Sequence, residues 1–590
     1  MKVEYSRDTL LTSFSKELLD KHYCKDLESP QDAFARAANC YSYGDTRLAQ
    51  RIYDYVSKGW FMFSSPILSN AVGIGEKPKG LPISCFLTYV DDSIQGLCDH
   101  TTEERWLSVK GGGVGGHWSD VRSTSEVTPG VNGFLHTVDA DMVAYRQGKT
   151  RRGSYAAYLN IDHPEILEFI KMRTPTGDLN RKNLNLHHGV NITDDFIKAV
   201  DNGEKWCLVD PHTLDITEIV DARELWEELL TTRFRTGEPY INYLDEANDK
   251  MHPSLKQAGL QINGSNLCNE IHLPTDKDRT AVCCLSSVNL ARYNEWKDTD
   301  MVKDLITFLD NVLQFFIDHA PDELEKARWS AESERSLGLG AMGFHDYLQD
   351  NNIPWESALA ISVNRGMFKH IKEQAKEATR ELATERGEPH LLLGTEERNA
   401  HLLAIAPNAN SSIILGVSSS IEPRASNCYT HKTRVGSYLV KNPALEEFLF
   451  NTPVHQAFGL TDEDVWQSIM EHNGSVQHLD FLSDDIKAVF KTSMELDQRW
   501  VVDMARSRQE HICQGQSVNL FFPTGANKAY VNAVHRRAFM EGGIGDPLKG
   551  LYYLRTESAG KVEKINVKIE RDKLQDGIQG DLNECIACQG

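Results

Sequence analysis

Three stretches of this chain repeat apolar residues at helical spacing, and short apolar runs too brief for helices alternate with them. Leu225, Trp226, Leu229, Leu230 and Phe234 form one stretch, and Leu305, Ile306, Leu309, Val312, Leu313 and Phe316 a second. Met367, Phe368, Ile371, Ala375, Ala378 and Leu382 form the third, which runs into a stop at Gly387 and Pro389. The runs Ile413-Ile414-Leu415 and 517–522 have the length and composition of strands. Such alternation predicts an α/β fold. The first fifty or so residues read as polar amphipathic helix, and no internal repeat or low-complexity tract is present. The length of 590 residues alone suggests about four domains, although a single barrel can take more than its share.

Charge and cysteine usage exclude whole classes of function. Lys plus Arg is 63 against 85 Asp plus Glu, a formal charge of −22, which disfavours non-specific binding to nucleic acid. Anionic ligands need a local basic pocket. Twelve cysteines are far too few for a disulfide scaffold, so a reducing cytosol is expected and any disulfide should be catalytic. No apolar run reaches the roughly 18 residues of a membrane span, and the first residues lack the apolar core of a signal peptide. A soluble, cytoplasmic protein is expected.

From about Thr556 the chain turns to mixed charge with scattered glycine and ends Glu584-Cys585-Ile586-Ala587-Cys588-Gln589-Gly590. A CxxC pair can share one oxidation event and reduce a disulfide elsewhere. It is also half of a zinc site, but no second CxxC or His pair accompanies it. About thirty flexible residues have a reach of roughly 30 Å, enough to carry thiols into a cleft.

Other constellations carry chemistry of their own. Asn266, Cys268 and Glu270 stand at alternate positions, so an extended backbone points amide, thiol and carboxylate one way. That set suits chemistry on a hydroxyl-bearing substrate, with the carboxylate as general base; a loop with a structural cysteine is the plainer reading. Cys85 and the pair Cys283-Cys284 each sit beside apolar, strand-like residues. Tyr552 and Tyr553 are adjacent, as in a strand whose aromatic residues face opposite ways. Small polar residues at 406–413 precede a possible element start, where backbone N–H groups can hold phosphate. The run 110–117 formally satisfies GxGxxG, but a poor strand precedes it and His117 replaces the lysine of a phosphate loop. The signal for a dinucleotide fold is therefore weak here.

Taken together, the motifs Ser64-Ser65-Pro66-Ile67-Leu68, SNLCNEI around Cys268, CCLSSVNL from Cys283, LYYLRT around Tyr552, and the terminal CxxC resemble the large, catalytic subunit of class I ribonucleotide reductases over nearly the whole length. The resemblance implies a ten-stranded α/β barrel with a central finger loop over 56–555, a helical region at 1–55 and a flexible redox tail at 556–590. It makes Cys268 the thiyl radical that removes the ribose 3′ hydrogen, Glu270 the base for the 3′-hydroxyl and Asn266 a partner of the substrate hydroxyls. Cys85 and Cys283 become the reducing pair that ends as a disulfide, with Cys283 rather than Cys284 fitting the family position. Tyr552 and Tyr553 become the relay from a separate radical-generating subunit, and Cys585 and Cys588 the thiols that reload the active site.

The family's diphosphate contacts fall on Ser65, Ser84, Asn408, Asn410, Ser411 and Ser412, and an effector contact on Asp92. The segment 174–183 resembles the loop that couples effector to substrate, making Arg181 and Lys182 candidate contacts. No metal or cofactor is expected in this chain. The radical should come from the partner's metallocofactor, reducing power from thioredoxin or glutaredoxin, and regulation from a nucleoside triphosphate. A homodimer is the family expectation. The barrel motifs begin near Ser64, which leaves no room for an ATP-cone and predicts no dATP inhibition through one. The runner-up is the adenosylcobalamin-dependent class II enzyme, which needs no second subunit. A glycyl-radical enzyme and a non-catalytic nucleotide-binding regulator fit less well.

Overall fold

The computed structural model describes residues 1–73, 75–78, 80–145, 153–432, 437–540 and 542–556; the redox thiols expected at Cys585 and Cys588 lie outside them. Helices Ser13–His22, Pro30–Cys40 and Thr46–Ser57 open the chain. Ser29 and Asp32 form a reciprocal capping box with Pro30 in the first turn, and Thr12 and Asp45 cap the other two. Ala33, Ala37, Ile52, Tyr53 and Val56 from these helices, and Tyr41 just past the second, are buried in the main core.

The central sheet has nine strands: β1 Phe61–Phe63, β2 Cys85–Tyr89, β3 Gly113–His117, β4 Tyr155–Asn160, β5 His187–Ile192, β6 Tyr240–Tyr243, β7 Ala281–Asn289, β8 Leu337–Met342 and β9 Gly550–Leu551. Strands β2 to β6 pair in parallel with their sequence neighbours, and β9 closes that edge against β6. Helices fill the crossovers, as parallel pairing requires. Strand β7 joins this half to the next. Its start runs antiparallel to β2, its end antiparallel to β1, and its opposite edge parallel to β8. Isolated parallel bridges, Leu339 with Leu403 and Ile405 with Gln516, carry the wall onward from β8.

All nine residues of β7 are buried because both faces are covered. Val282, Cys284 and Val288 join the outer helical core, whereas Ala281, Cys283 and Leu285 join an inner cluster with Cys85 and Leu87. The alternation of the pleat thus separates two adjacent thiols onto opposite faces.

The three predicted helices are present as Ala222–Thr236, Met301–His319 and Ala358–Arg386. The last is capped by Ser357 and ends at Gly387, whose φ of 83° suits glycine. The run Ile413-Ile414-Leu415 is not a strand: it lies in helix Ala409–Leu415. Asn408 (φ 56°) and Gly416 (φ 70°), both left-handed, bracket that helix and decide against extended backbone. In the run 517–522 only Leu520–Phe522 is a strand.

Candidate active site

Residues 264–275 are all buried without joining any strand, so their backbone groups need partners from side chains and neighbouring loops. At the tip the chain reverses rather than extending. Asn269 N donates to Asn266 O at 3.3 Å, and Asn269 adopts φ 59°, a conformation asparagine tolerates. The extended arrangement expected for 266–270 is therefore replaced by a turn, which still gathers the three groups. Asn266 Oδ1 accepts from Glu270 N (3.0 Å) and Ile271 N (3.1 Å), while its Nδ2 donates to Cys85 Sγ at 3.1 Å. Ser517 Oγ lies within hydrogen-bond distance of both Cys268 O (2.6 Å) and Glu270 Oε2 (3.2 Å). Tyr158 donates its hydroxyl to Asn266 O at 2.6 Å.

The glycine run explains how a loop fits inside the wall. A Cβ on Gly115 of β3 would stand 1.9 Å from Ser265 O and 2.8 Å from Asn266 Cα. Only glycine allows that approach. Behind the tip, Gly515 N donates to Glu270 O at 2.8 Å and Gln514 Oε1 accepts from His272 N at 3.2 Å.

Cys85 and Cys283 stand directly opposite across the antiparallel β2–β7 pair. Opposite residues there have Cα atoms about 4.5–5.5 Å apart and side chains on one face, within the span a disulfide needs. Cys85 Sγ is 4.0 Å from Glu270 Oε1, and Gln514 Nε2 donates to Cys283 Sγ at 3.4 Å. Burial pushes the Cys283 thiol well above its ordinary range, so it is a neutral S–H, a store of a proton as well as electrons. Burial also lifts the Glu270 carboxyl to about 7, against the lowering pull of Asn266. A carboxyl held there can both take and return a proton near neutrality.

Tyr552 lies in one buried cluster with Cys268, Leu267, Tyr158 and Tyr240. The two tyrosines are not in a strand and do not face apart: their ring centroids are 4.3 Å apart, and Tyr240 lies 4.8 Å from Tyr552 and 5.1 Å from Tyr553. Tyr553 is half-exposed, with its hydroxyl 3.1 Å from His187 Nδ1; that nitrogen is 2.7 Å from Glu238 Oε1.

The phosphate candidates divide by what already engages them. Asn408 spends its amide on Ala341 O and Ala406 O and accepts from Ser287 Oγ, and Ser412 bonds Ala409 O and Ser419. Ser411 Oγ reaches Phe63 O at 3.5 Å. Ser84 Oγ is buried with no hydrogen-bond partner among the described residues. Asp92 pairs with Arg122 at 2.8 Å. Arg181 is held by Glu168 and Glu165, and Lys182 Nζ donates to Lys171 O.

Two family models match this chain: "Ribonucleotide reductase, all-alpha domain" over residues 9–73, and "Ribonucleotide reductase, barrel domain" over 83–392 and 394–554. The chain belongs to the ribonucleotide reductase large-subunit family. It is 54% identical over 98% of its length to a Frog virus 3 (isolate Goorha) protein assigned as a ribonucleoside-diphosphate reductase large subunit, covering 99% of that protein. Identity is 40%, over the whole of both chains, to the ribonucleoside-diphosphate reductase large subunit of Invertebrate iridescent virus 3. Among solved structures, the Actinobacillus ureae class Id ribonucleotide reductase alpha subunit superposes with a TM-score of 0.80 at 33% identity, covering 94% of this chain and 98% of that one. The class I match does not favour the cobalamin-dependent alternative.

Several side chains of this candidate site have no local signal in sequence. Tyr158, Tyr240 and Gln514 are single residues in ordinary strand or loop context, and Arg122 meets Asp92 only through the fold. Ser517 heads the run 517–522, where its small polar side chain beside an apolar strand was a weak pointer.

Proposed function

We propose that this subunit reduces ribonucleoside diphosphates by thiyl-radical chemistry, with Cys268, Glu270, Asn266, Cys85 and Cys283 in the roles the family pattern implies. The observation that carries the reading is convergence. One buried turn presents Cys268 and Glu270, while Cys85, in register with Cys283, is hydrogen-bonded to Asn266 of that turn. A Cys268 thiyl takes the 3′ hydrogen atom and becomes a thiol, and Glu270 takes the 3′-hydroxyl proton. The 2′-hydroxyl leaves as water with a proton from the Cys85/Cys283 pair. C2′ takes up the pair's second hydrogen as those two cysteines give up two electrons and join as a disulfide; Glu270 returns its proton to the 3′ oxygen, and Cys268 returns its hydrogen atom to C3′.

Tyr552 and Tyr553 carry the oxidising equivalent inward from the small subunit, whose metallocofactor generates it. Their ring contacts and their shared cluster with Cys268 support the route. Cys585 and Cys588 then reduce the Cys85–Cys283 disulfide and are themselves reduced by thioredoxin or glutaredoxin. A triphosphate effector binds near Asp92 and Arg122, and the segment with Arg181 and Lys182 transmits its identity across a homodimer in the cytoplasm. Ser65, Asn410 and Ser411 hold the diphosphate with Ser84, while Asn408 and Ser412 shape the backbone there. The decisive experiment is Cys268→Ala and Cys268→Ser, assayed for deoxynucleoside diphosphate with the small subunit present. Product from either variant refutes the mechanism.

A further inference from the structure

We propose that Tyr23, from the N-terminal helices, is a ligand of the substrate's diphosphate. The inference rests on the reductase reading and adds a binding residue to the same site. Tyr23 is 6% exposed and lies one residue beyond helix Ser13–His22. Its hydroxyl is 2.7 Å from Ser65 Oγ and accepts from Asn410 Nδ2 at 3.0 Å. Those two residues come from chain segments some 345 residues apart, and both are diphosphate candidates. Either hydroxyl can donate in the Tyr23–Ser65 contact; with Ser65 and Asn410 both donating to the phenol oxygen, the phenol proton is left for a ligand. Beside Ser65, Ser64 Oγ is buried with no hydrogen-bond partner among the described residues. A buried hydroxyl in that state is costly unless a ligand completes it. Tyr23, Ser65 and Asn410 therefore bring neutral hydrogen-bonding groups together, with Ser64 next to them in the chain, and such groups suit phosphate oxygens.

Tyr23 is held for this position. Arg36 spends its guanidinium on both sides of the contact: Nη2 donates to Tyr23 O (2.9 Å), and Nη1 to Leu68 O (3.1 Å) and Ala71 O (2.7 Å) at the end of the helix that begins with Ser65. Glu28 fixes the guanidinium from behind at 2.8 and 3.0 Å. A second link ties the same N-terminal helix to the Asn410 helix, through Ser15 Oγ and Ile413 O at 3.2 Å. The all-α layer is thus a wall of the substrate site.

The test is Tyr23→Phe in the full chain with its small subunit, using CDP as substrate and inorganic pyrophosphate as competitive inhibitor. The ring and its packing remain, and only the hydroxyl is lost. The expected result is a KM for CDP about tenfold higher, equivalent to about 1.4 kcal/mol, a matching rise in the pyrophosphate inhibition constant, and kcat within about twofold of the parent. Ser15→Ala, which cuts the other link between the layers, should leave both constants unchanged. An unshifted KM overturns the proposal. So does a raised KM with an unchanged pyrophosphate constant, which would make Tyr23 a packing residue. A parent protein that reduces no CDP with its partner overturns the reductase reading and this proposal together.

Discussion

Glu270→Gln separates the base role of this carboxyl from its structural one, because the two have opposite dependences on pH. Burial raises the folded-state value from an ordinary 4.5 to about 7. Between those values the folded protein holds a proton that the unfolded chain has lost. Stability from this site is therefore full below about 4.5 and falls as pH rises through about 7. At 1.36 kcal/mol per unit, the loss above pH 7 is about 3 kcal/mol. Glutamine does not titrate, so the variant escapes that loss. Denaturant unfolding of both proteins from pH 4.5 to 8.5 should show the variant gaining on the parent by about 3 kcal/mol across the series. Turnover moves the other way. Loss of the base should lower kcat by about 10²–10⁴-fold, and the parent's rise in kcat with an apparent pKa near 7 should vanish in the variant. A stability difference that is flat with pH refutes the burial argument, and an unchanged kcat profile refutes the base.

Three further outcomes follow from the geometry. Cys283→Ala should stop continued turnover, whereas Cys284→Ala, on the outer face of β7, should cost about 1 kcal/mol of stability and leave turnover within about twofold; equal loss in dithiol-driven assays refutes the facing argument. Gly115→Ala puts a Cβ 1.9 Å from Ser265 O, so activity should fall more than about 100-fold through displacement of the 264–275 loop, and an active variant with parental unfolding behaviour contradicts the close approach. Tyr552→Phe and Tyr553→Phe should each abolish turnover with the small subunit while CDP binding, read by equilibrium dialysis, stays parental; retained turnover removes that tyrosine from the relay.

The legible parts of this protein are those whose information is local. Helix Ala358–Arg386 announces itself because its buried stripe, its serine cap and its terminal glycine all lie on one segment, and the pleat of β7 separates Cys283 from Cys284 by alternation alone. Where the structure departs from sequence pattern, a single backbone conformation decides. Left-handed Asn408 and Gly416 turn three apolar residues into helix, and left-handed Asn269 turns alternate positions into a reverse turn. Asparagine is common in loops, so its positive φ carries no signal until the surrounding contacts fix it. What stays hidden is partnership at long range: Tyr23 with Ser65 and Asn410, His187 with Tyr553, Arg122 with Asp92. Each of these joins an unremarkable residue to one that a motif makes conspicuous. A motif therefore marks the atoms that meet the substrate, while the residues that hold those atoms are chosen by the barrel, which brings segments hundreds of residues apart onto one inner surface.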